Sequence, residues 1–373
     1  NDWIKMARLY GFQKKDLICI YENMVLARKL DEKMMILLRQ GKGFFHMACS
    51  GHEAAQLAAA NTLDAGKDWS YPYYRDGAFS LGMGMTSKEQ LQGFLAKADD
   101  PSSGGRQLPH HFSKRELNIV TQSSATGTQY LQAVGCAMAC KRNKIKEVVY
   151  VSSGEGTTSQ GDFHEALNWS SREKLPIIFH VQDNEYAISV HISEQISGGS
   201  VFSMVSGYQN LGRFNVDGTD FFESHLAFKK AVGRARKGKG PSVIVSHVVR
   251  LEPHSSSDDQ LKYRTKDEID EMRKNDPILK FRNECITNKV IKDEEFEKID
   301  LKLKDQVDQD ADWAEAQDHP EVTTSMDHLY SNEMPKGEQM TKTINDKVVI
   351  VDAINHALAE EMDRNDKMII YGQ

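Results

Sequence analysis

Residues 154–189, GEGTTSQGDFHEALNWSSREKLPIIFHVQDNEYAIS, constrain the fold of this chain more than any other stretch. An apolar run at 147–151 (EVVYV) leads into it, and a second, 176–181 (PIIFHV), lies near its end. Between them, 163–172 has helical spacing. Strand, loop, helix, strand is a βαβ unit of a parallel sheet. Ligands of such sheets sit at the carboxyl ends of the strands. Two clusters fall there: Gly154-Glu155-Gly156 after the first strand and Asp183-Asn184-Glu185-Tyr186 after the second. Glu155 and Asn184 are about 30 residues apart, one βαβ repeat, so adjacent strands bring them side by side. A carboxylate, an amide carbonyl and nearby backbone carbonyls form a hard oxygen shell. Magnesium suits such a shell when phosphate oxygens fill the remaining positions. The glycines at 154 and 156 let the backbone approach a diphosphate. The same residues also suit a plain glycine turn with a solvated Glu155, and spacing alone leaves both readings open.

The stretch resembles the thiamine diphosphate motif, which opens with GDG or GEG and closes with NN. More widely, the sequence resembles the alpha subunit of the decarboxylating first component of 2-oxo acid dehydrogenase complexes, the branched-chain (2-oxoisovalerate) type above all. The segments that carry this are GEGTTSQGD, NEYAIS, GRQLPHHF at 105–112 and PHSSSDD at 253–259. The similarity runs from residue 17 to residue 282. It implies an α/β fold with a mostly parallel sheet and helices on both faces, the thiamine diphosphate-binding fold, followed by a helical C-terminal extension.

The resemblance also implies roles. Glu155, Asn184 and the backbone carbonyl of Tyr186 would hold Mg2+. Tyr74 and Arg75 would contact the diphosphate, Ser124 its phosphate side, and Thr126 the aminopyrimidine side. Gly154, Gly156, Gln182 and Arg250 join the cofactor-binding set, as does Tyr73, which stands where the branched-chain enzymes have glutamine. Ser123, Thr128 and Gln129 match a K+ site of some members. His254 matches the histidine that acts in acyl transfer to lipoyl, and Ser255 a serine phosphorylated in mitochondrial relatives. Three positions depart from the family: Gln182 replaces arginine, Asp183 asparagine and Glu185 glycine. Two acids gained and one cation lost predict cofactor binding weaker by about a few kcal/mol. They also predict that Gln182→Arg tightens it.

Read from the residues alone, Tyr73-Tyr74-Arg75 is an aromatic loop whose arginine either holds a phosphate or is an ordinary surface residue. The hydroxyl-rich start of a helix at 123–132 offers N–H groups to anions or simply caps itself. A histidine just past the strand 242–249 is placed for acid–base work, or is inert.

The net charge of −7 in 373 residues argues against a nucleic-acid surface. No apolar run approaches the roughly 18 residues that span a membrane. Five cysteines without metal-ligand or disulfide spacing suit a reducing compartment. The bacterial cytoplasm is the expected location, with the mitochondrial matrix as the alternative.

Four segments are expected: a cofactor-binding domain at 1–265, a charged helical extension at 266–320, a polar linker at 321–345, and 346–373, an amphipathic helix and an apolar strand. That last segment resembles the opening of the beta subunit of the same enzymes, which predicts an alpha–beta fusion. The implied reaction is oxidative decarboxylation of a branched-chain 2-oxo acid, with the acyl group passed to a lipoyl acyltransferase core. The expected assembly is a homodimer of fused chains or an alpha2beta2 tetramer. Pyruvate or acetoin as substrate is one alternative, and a non-catalytic scaffold or regulatory paralogue is the other.

Overall fold

The βαβ unit lies at the centre of a five-stranded, all-parallel sheet. The computed structural model describes residues 11–329 and 349–370. They belong to two units, divided between Val322 and Thr323.

In the first unit the strands β1 (Trp69–Tyr71), β2 (Val149–Gly154), β3 (Ile177–Asp183), β6 (Gly212–Asp217) and β7 (Ser242–His247) are ordered β1-β2-β3-β7-β6. A two-stranded hairpin, β4 (Tyr186–Ala187) and β5 (Val190–His191), follows β3 directly. The three central strands are buried along almost their whole length and carry apolar runs, as a sheet covered on both faces requires. Their alternation splits the core in two. Tyr150, Ile178 and Ile244 face one side; Val149, Val151, Phe179, Val181 and Val245 face the other. Helices α1 (Lys14–Arg39) and α2 (Glu53–Ala60) pack on the first face. The short α3 (Gly77–Gly82) and α4 (Ser87–Phe94) join them there. On the second face lie α5 (Gln129–Arg142) and α6 (Gly161–Glu173). The helix α7 (Phe221–Arg236) returns to the first face.

In α1 the apolar residues Leu17, Ile20, Tyr21, Met24, Ala27, Leu30 and Met34 recur every three or four positions in the sequence, and this stripe is buried. The aromatic stretch before Arg75 contains a strand that its three residues and the following Pro72 conceal. Residues 123–128 are not helical: Gly127 has φ +98°, and α5 begins only at Gln129.

The charged segment expected as a separate extension, 266–320, belongs to this unit. It forms α8 (Lys266–Lys274), α9 (Pro277–Thr287) and α10 (Asp293–Glu315). Phe296, Leu303, Val307, Ala311 and Ala314 of α10 enter the first-face core. A period of about 3.6 still leaves one apolar stripe on a helix that is otherwise charged.

An ion network pins α9 to α1 and α2. Arg28 donates to Glu53 at 2.8 Å and to both oxygens of Asp276 at 2.8 and 3.1 Å. Glu53 is fully buried. Arg28→Met strands that carboxylate and is expected to cost about 3–5 kcal/mol in urea unfolding of the chain. A loss under about 1 kcal/mol would show that the network contributes little.

In the second unit α11 (Ile350–Arg364) forms as predicted, with Ile350, Val351 and Ile354 exposed. The strand expected at 367–371 does not form over 367–370, and Tyr371 lies outside the described residues. Most of the expected linker, 330–345, also lies outside them.

Candidate active site

The carboxyl ends of β2, β3 and β7 converge on one place. Register pairs Gly154 with Gln182, and Asp183 with His247. Glu155 starts a tight turn directly after β2 and is 1 % exposed. Its Oε2 accepts the Asn184 N–H at 3.2 Å. Its Oε1 and the Oδ1 of Asn184 are both buried without a hydrogen-bond partner among the described residues. Buried oxygens ordinarily find partners. Two orphaned ones, a carboxylate and an amide at adjacent strand ends, could supply two of the six positions of an octahedral hard-cation shell. Burial, then the charge of Asp183, push the Glu155 carboxyl up to about 7. A bound cation would reverse that shift. Beside it, a Cβ on Gly156 would lie 2.5 Å from the Ala187 Cβ, so only glycine fits the turn.

The Tyr186 carbonyl accepts from Arg250 at 3.3 Å. Arg250, almost fully buried, also donates to the Ile188 carbonyl at 3.0 Å and to the Tyr263 hydroxyl at 2.7 Å, and that hydroxyl donates to Asp258. Asp258 in turn accepts the His254 N–H at 2.8 Å. These bonds hold the 253–263 loop against the strand ends. Arg264 completes the cluster, its guanidinium 4.3 Å from the Tyr186 ring centre. Sequence reading passed over Arg264, although it follows the loop and sits beside the similarly placed Tyr263.

Arg75 donates to the carbonyls of Ala48 at 2.6 Å and His254 at 3.1 Å, and approaches His254 Nδ1 at 3.3 Å. An arginine only donates, so His254 Nδ1 is the acceptor and the imidazole carries its proton at Nε2. Burial, then Arg75 and Arg250, lower the His254 pKa to about 4, so the ring is neutral near pH 7. The Tyr74 ring stands edge-on to it at 6.0 Å.

Next to this cluster is a cavity of about 200 Å³. Tyr73, Tyr74, Ser123, Ser124, Thr126 and Gln129 line it together with Phe45, Met47, Leu108 and His111. Ser124 Oγ and His111 Nε2 are 2.9 Å apart. His111 belongs to the 105–112 segment GRQLPHHF, yet nothing in its immediate sequence marks it as a wall residue. The three residues matched to a K+ site are satisfied by the protein: Ser123 Oγ and Thr128 Oγ1 lie 2.6 Å apart, and Gln129 accepts from Gly127 and donates to the Ser152 carbonyl.

The three departures point elsewhere than their sequence neighbourhood suggested. Gln182 is fully buried on the core side of β3. Its amide donates to Asp76 at 2.6 Å and its carbonyl accepts from Gln56 at 2.9 Å. His52 Nδ1 lies 2.8 Å from the same oxygen. An arginine at 182 would meet Asp76 first. Asp183 accepts the Glu185 N–H at 3.0 Å and stands 3.4 Å from His247 Nδ1, which raises the His247 pKa. Glu185 is exposed, with φ +69°. The family's glycine suits that backbone; glutamate there costs about 1 kcal/mol. Ser255 is buried, 3.1 Å from Ser257 Oγ.

A family model described as "Dehydrogenase E1 component" matches residues 21–323. The chain belongs to the dehydrogenase E1 component family. It is 39 % identical over 321 residues to the 2-oxoisovalerate dehydrogenase subunit alpha of Bacillus subtilis (strain 168), which covers 86 % of this chain and 97 % of the relative. It is 36 % identical over 264 residues to the 3-methyl-2-oxobutanoate dehydrogenase subunit alpha of Mycobacterium tuberculosis, covering 70 % of this chain and 68 % of that one. The pyruvate dehydrogenase E1 component subunit alpha of Staphylococcus aureus is 33 % identical over 327 residues, 86 % of this chain and 84 % of the relative. The fold is the alpha-type fold of E1 enzymes, whose cofactor is thiamine diphosphate, and the orphaned oxygens lie where that fold presents strand ends. Among the described residues no helix is long and apolar enough to cross a membrane.

Proposed function

We propose that this chain is the alpha-type part of an E1 enzyme that decarboxylates branched-chain 2-oxo acids. The observation that carries this is the pair of buried, unpartnered oxygens, Glu155 Oε1 and Asn184 Oδ1, next to a cavity walled by Phe45, Met47, Leu108 and Tyr74. Those oxygens would hold Mg2+. When bound, thiamine diphosphate supplies the electron sink for decarboxylation. The chain's residues do the rest. Arg75 and Tyr74 orient the diphosphate end, Gly156 lets the backbone close on it, and the apolar wall excludes water and receives the branched side chain. His254 keeps a proton at Nε2, ready for an anionic group on the lipoyl arm of a partner acyltransferase. Similarity to alpha subunits supports a beta-type partner that completes the site.

The amphipathic sequence of α11, with its resemblance to the opening of a beta subunit, supports the reading that a beta-like part begins near residue 346. Ser255 is the proposed phosphosite; its burial means that the 253–263 loop opens before modification.

The test is decarboxylation by the chain assembled with its beta-type part, with thiamine diphosphate and Mg2+. An isopropyl side chain fills an apolar cavity better than a methyl. Preference for 3-methyl-2-oxobutanoate over pyruvate of about tenfold or more in kcat/KM is expected. Preference for pyruvate would reassign the substrate, and no turnover on either would overturn the catalytic reading.

A further inference from the structure

Behind the cavity wall runs a buried chain of polar side chains with no role in the site described above. Asp31 of α1 accepts from Ser50 Oγ at 2.8 Å, and its other oxygen lies 3.1 Å from His46 Nε2, at ion-pair distance but without the alignment of a hydrogen bond. His46 Nδ1 and His110 Nε2 are 2.8 Å apart. His110 stacks on Phe112 with ring centres 5.3 Å apart, and His46 meets Phe94 edge-on. Asp31, His46 and His110 are all buried. Neither histidine lines the 200 Å³ cavity, but the neighbours of both do: Phe45 and Met47 flank His46, while Leu108, Pro109 and His111 surround His110. The His46 backbone also clasps the loop that carries His254. Its N–H donates to Ser256 Oγ at 3.2 Å, and its carbonyl accepts the Ser256 N–H at 2.8 Å.

We propose that His46 and His110 are positioning residues, through which α1 fixes both cavity walls and the His254 loop. An apolar pair would fill the same volume without the cost of burying polar groups. What the polar chain adds is direction. A hydrogen bond of 2.8 Å tolerates shifts of only about a few tenths of an ångström. Binding sites need walls held to about 0.5 Å. The activity arm of the test below rests on the proposed function; the exchange arm does not.

His46→Leu removes both contacts. His46→Gln places a donor and an acceptor in one side chain and is the rescue. Amide hydrogen exchange on the whole chain, without substrate, is expected to rise about tenfold in 108–111 and 253–258 for His46→Leu and to return close to wild type for His46→Gln. In the assembled enzyme His46→Leu should raise KM for 3-methyl-2-oxobutanoate about tenfold, with kcat changed less. If His46→Leu does not fold, His110→Leu, which keeps the Asp31–His46 contact, should loosen 108–111 alone. Exchange that rises evenly over the whole first unit, or a His46→Gln variant no better than His46→Leu, would overturn the proposal. Absence of wild-type decarboxylation would instead count against the proposed function, and the exchange result would stand by itself.

Discussion

Glu155→Gln is expected to lower 2-oxo acid decarboxylation by the assembled enzyme by about 100-fold or more, with Mg2+-dependent binding of thiamine diphosphate lost in parallel. Glutamine matches the carboxylate in size, and its carbonyl still accepts the Asn184 N–H. What it removes is the charge on Oε1, the buried oxygen without a partner. A neutral amide is a poor ligand for a hard dication. The fold itself should not suffer, because a buried unpaired carboxylate costs more than a buried amide. Calorimetric titration of Mg2+ and cofactor, together with urea unfolding of the cofactor-free chain, separates the two effects. Lost binding with stability equal to or above wild type is the expected pair. Unaltered Mg2+ dependence would place the cation elsewhere and undo the assignment of both Glu155 and Asn184.

Glu155 and Asn184 were legible because their signal is local: two apolar runs, a helix between them, and a polar residue at each strand exit. The stripe of α1 was legible for the same reason, through period alone. What escaped was of two kinds. Some elements are too short or too dependent on one residue. Trp69–Tyr71 is only three residues long, and the φ of +98° at Gly127 turns an apparent helix start into a loop. Others depend on direction. Gln182 enters the cofactor-binding set only through the resemblance, as the position where the family has arginine. Continued to Asp183, the β3 alternation places Gln182 with Ile178 and His180, on the core face. The period holds this information, but the apolar run that marks the strand stops at Val181. Its partners Asp76, Gln56 and His52 come from α2 and the loop after β1, and no sequence interval announces that meeting. The same applies to His46 and His110, which depend on Asp31 of a distant helix.

Asp76→Asn is expected to stabilise the cofactor-free chain by up to about 4 kcal/mol at pH 8, falling to about 1.5 kcal/mol at pH 5 and about 0.5 kcal/mol at pH 4. Asp76 is fully buried; it accepts from Gln182 at 2.6 Å and from Ser152, with no cation bonded to it among the described residues. Burial dominates these hydrogen bonds and pushes its carboxyl from the usual 3.8 up to about 7. The folded chain therefore holds this proton more tightly than the unfolded chain does. Between pH 3.8 and about 7 the unfolded state ionises first, so stability falls as pH rises, and the deficit is complete above about 7. Asparagine removes the ionisation. Its oxygen still accepts from Gln182, and its amide donates to Ser152. Urea unfolding of wild type and variant at pH 5 and pH 8 measures the difference directly. An equal difference at both pH values would show that Asp76 does not titrate in this window. Gln182→Arg gives the independent check. An arginine there stands against Asp76 and should pull its titration back down, flattening the same pH dependence by supplying a counter-charge. The departure at 182 then acts on the stability of the apo fold, through a carboxyl left without its cation, and reaches the cofactor only through the strand it helps to hold.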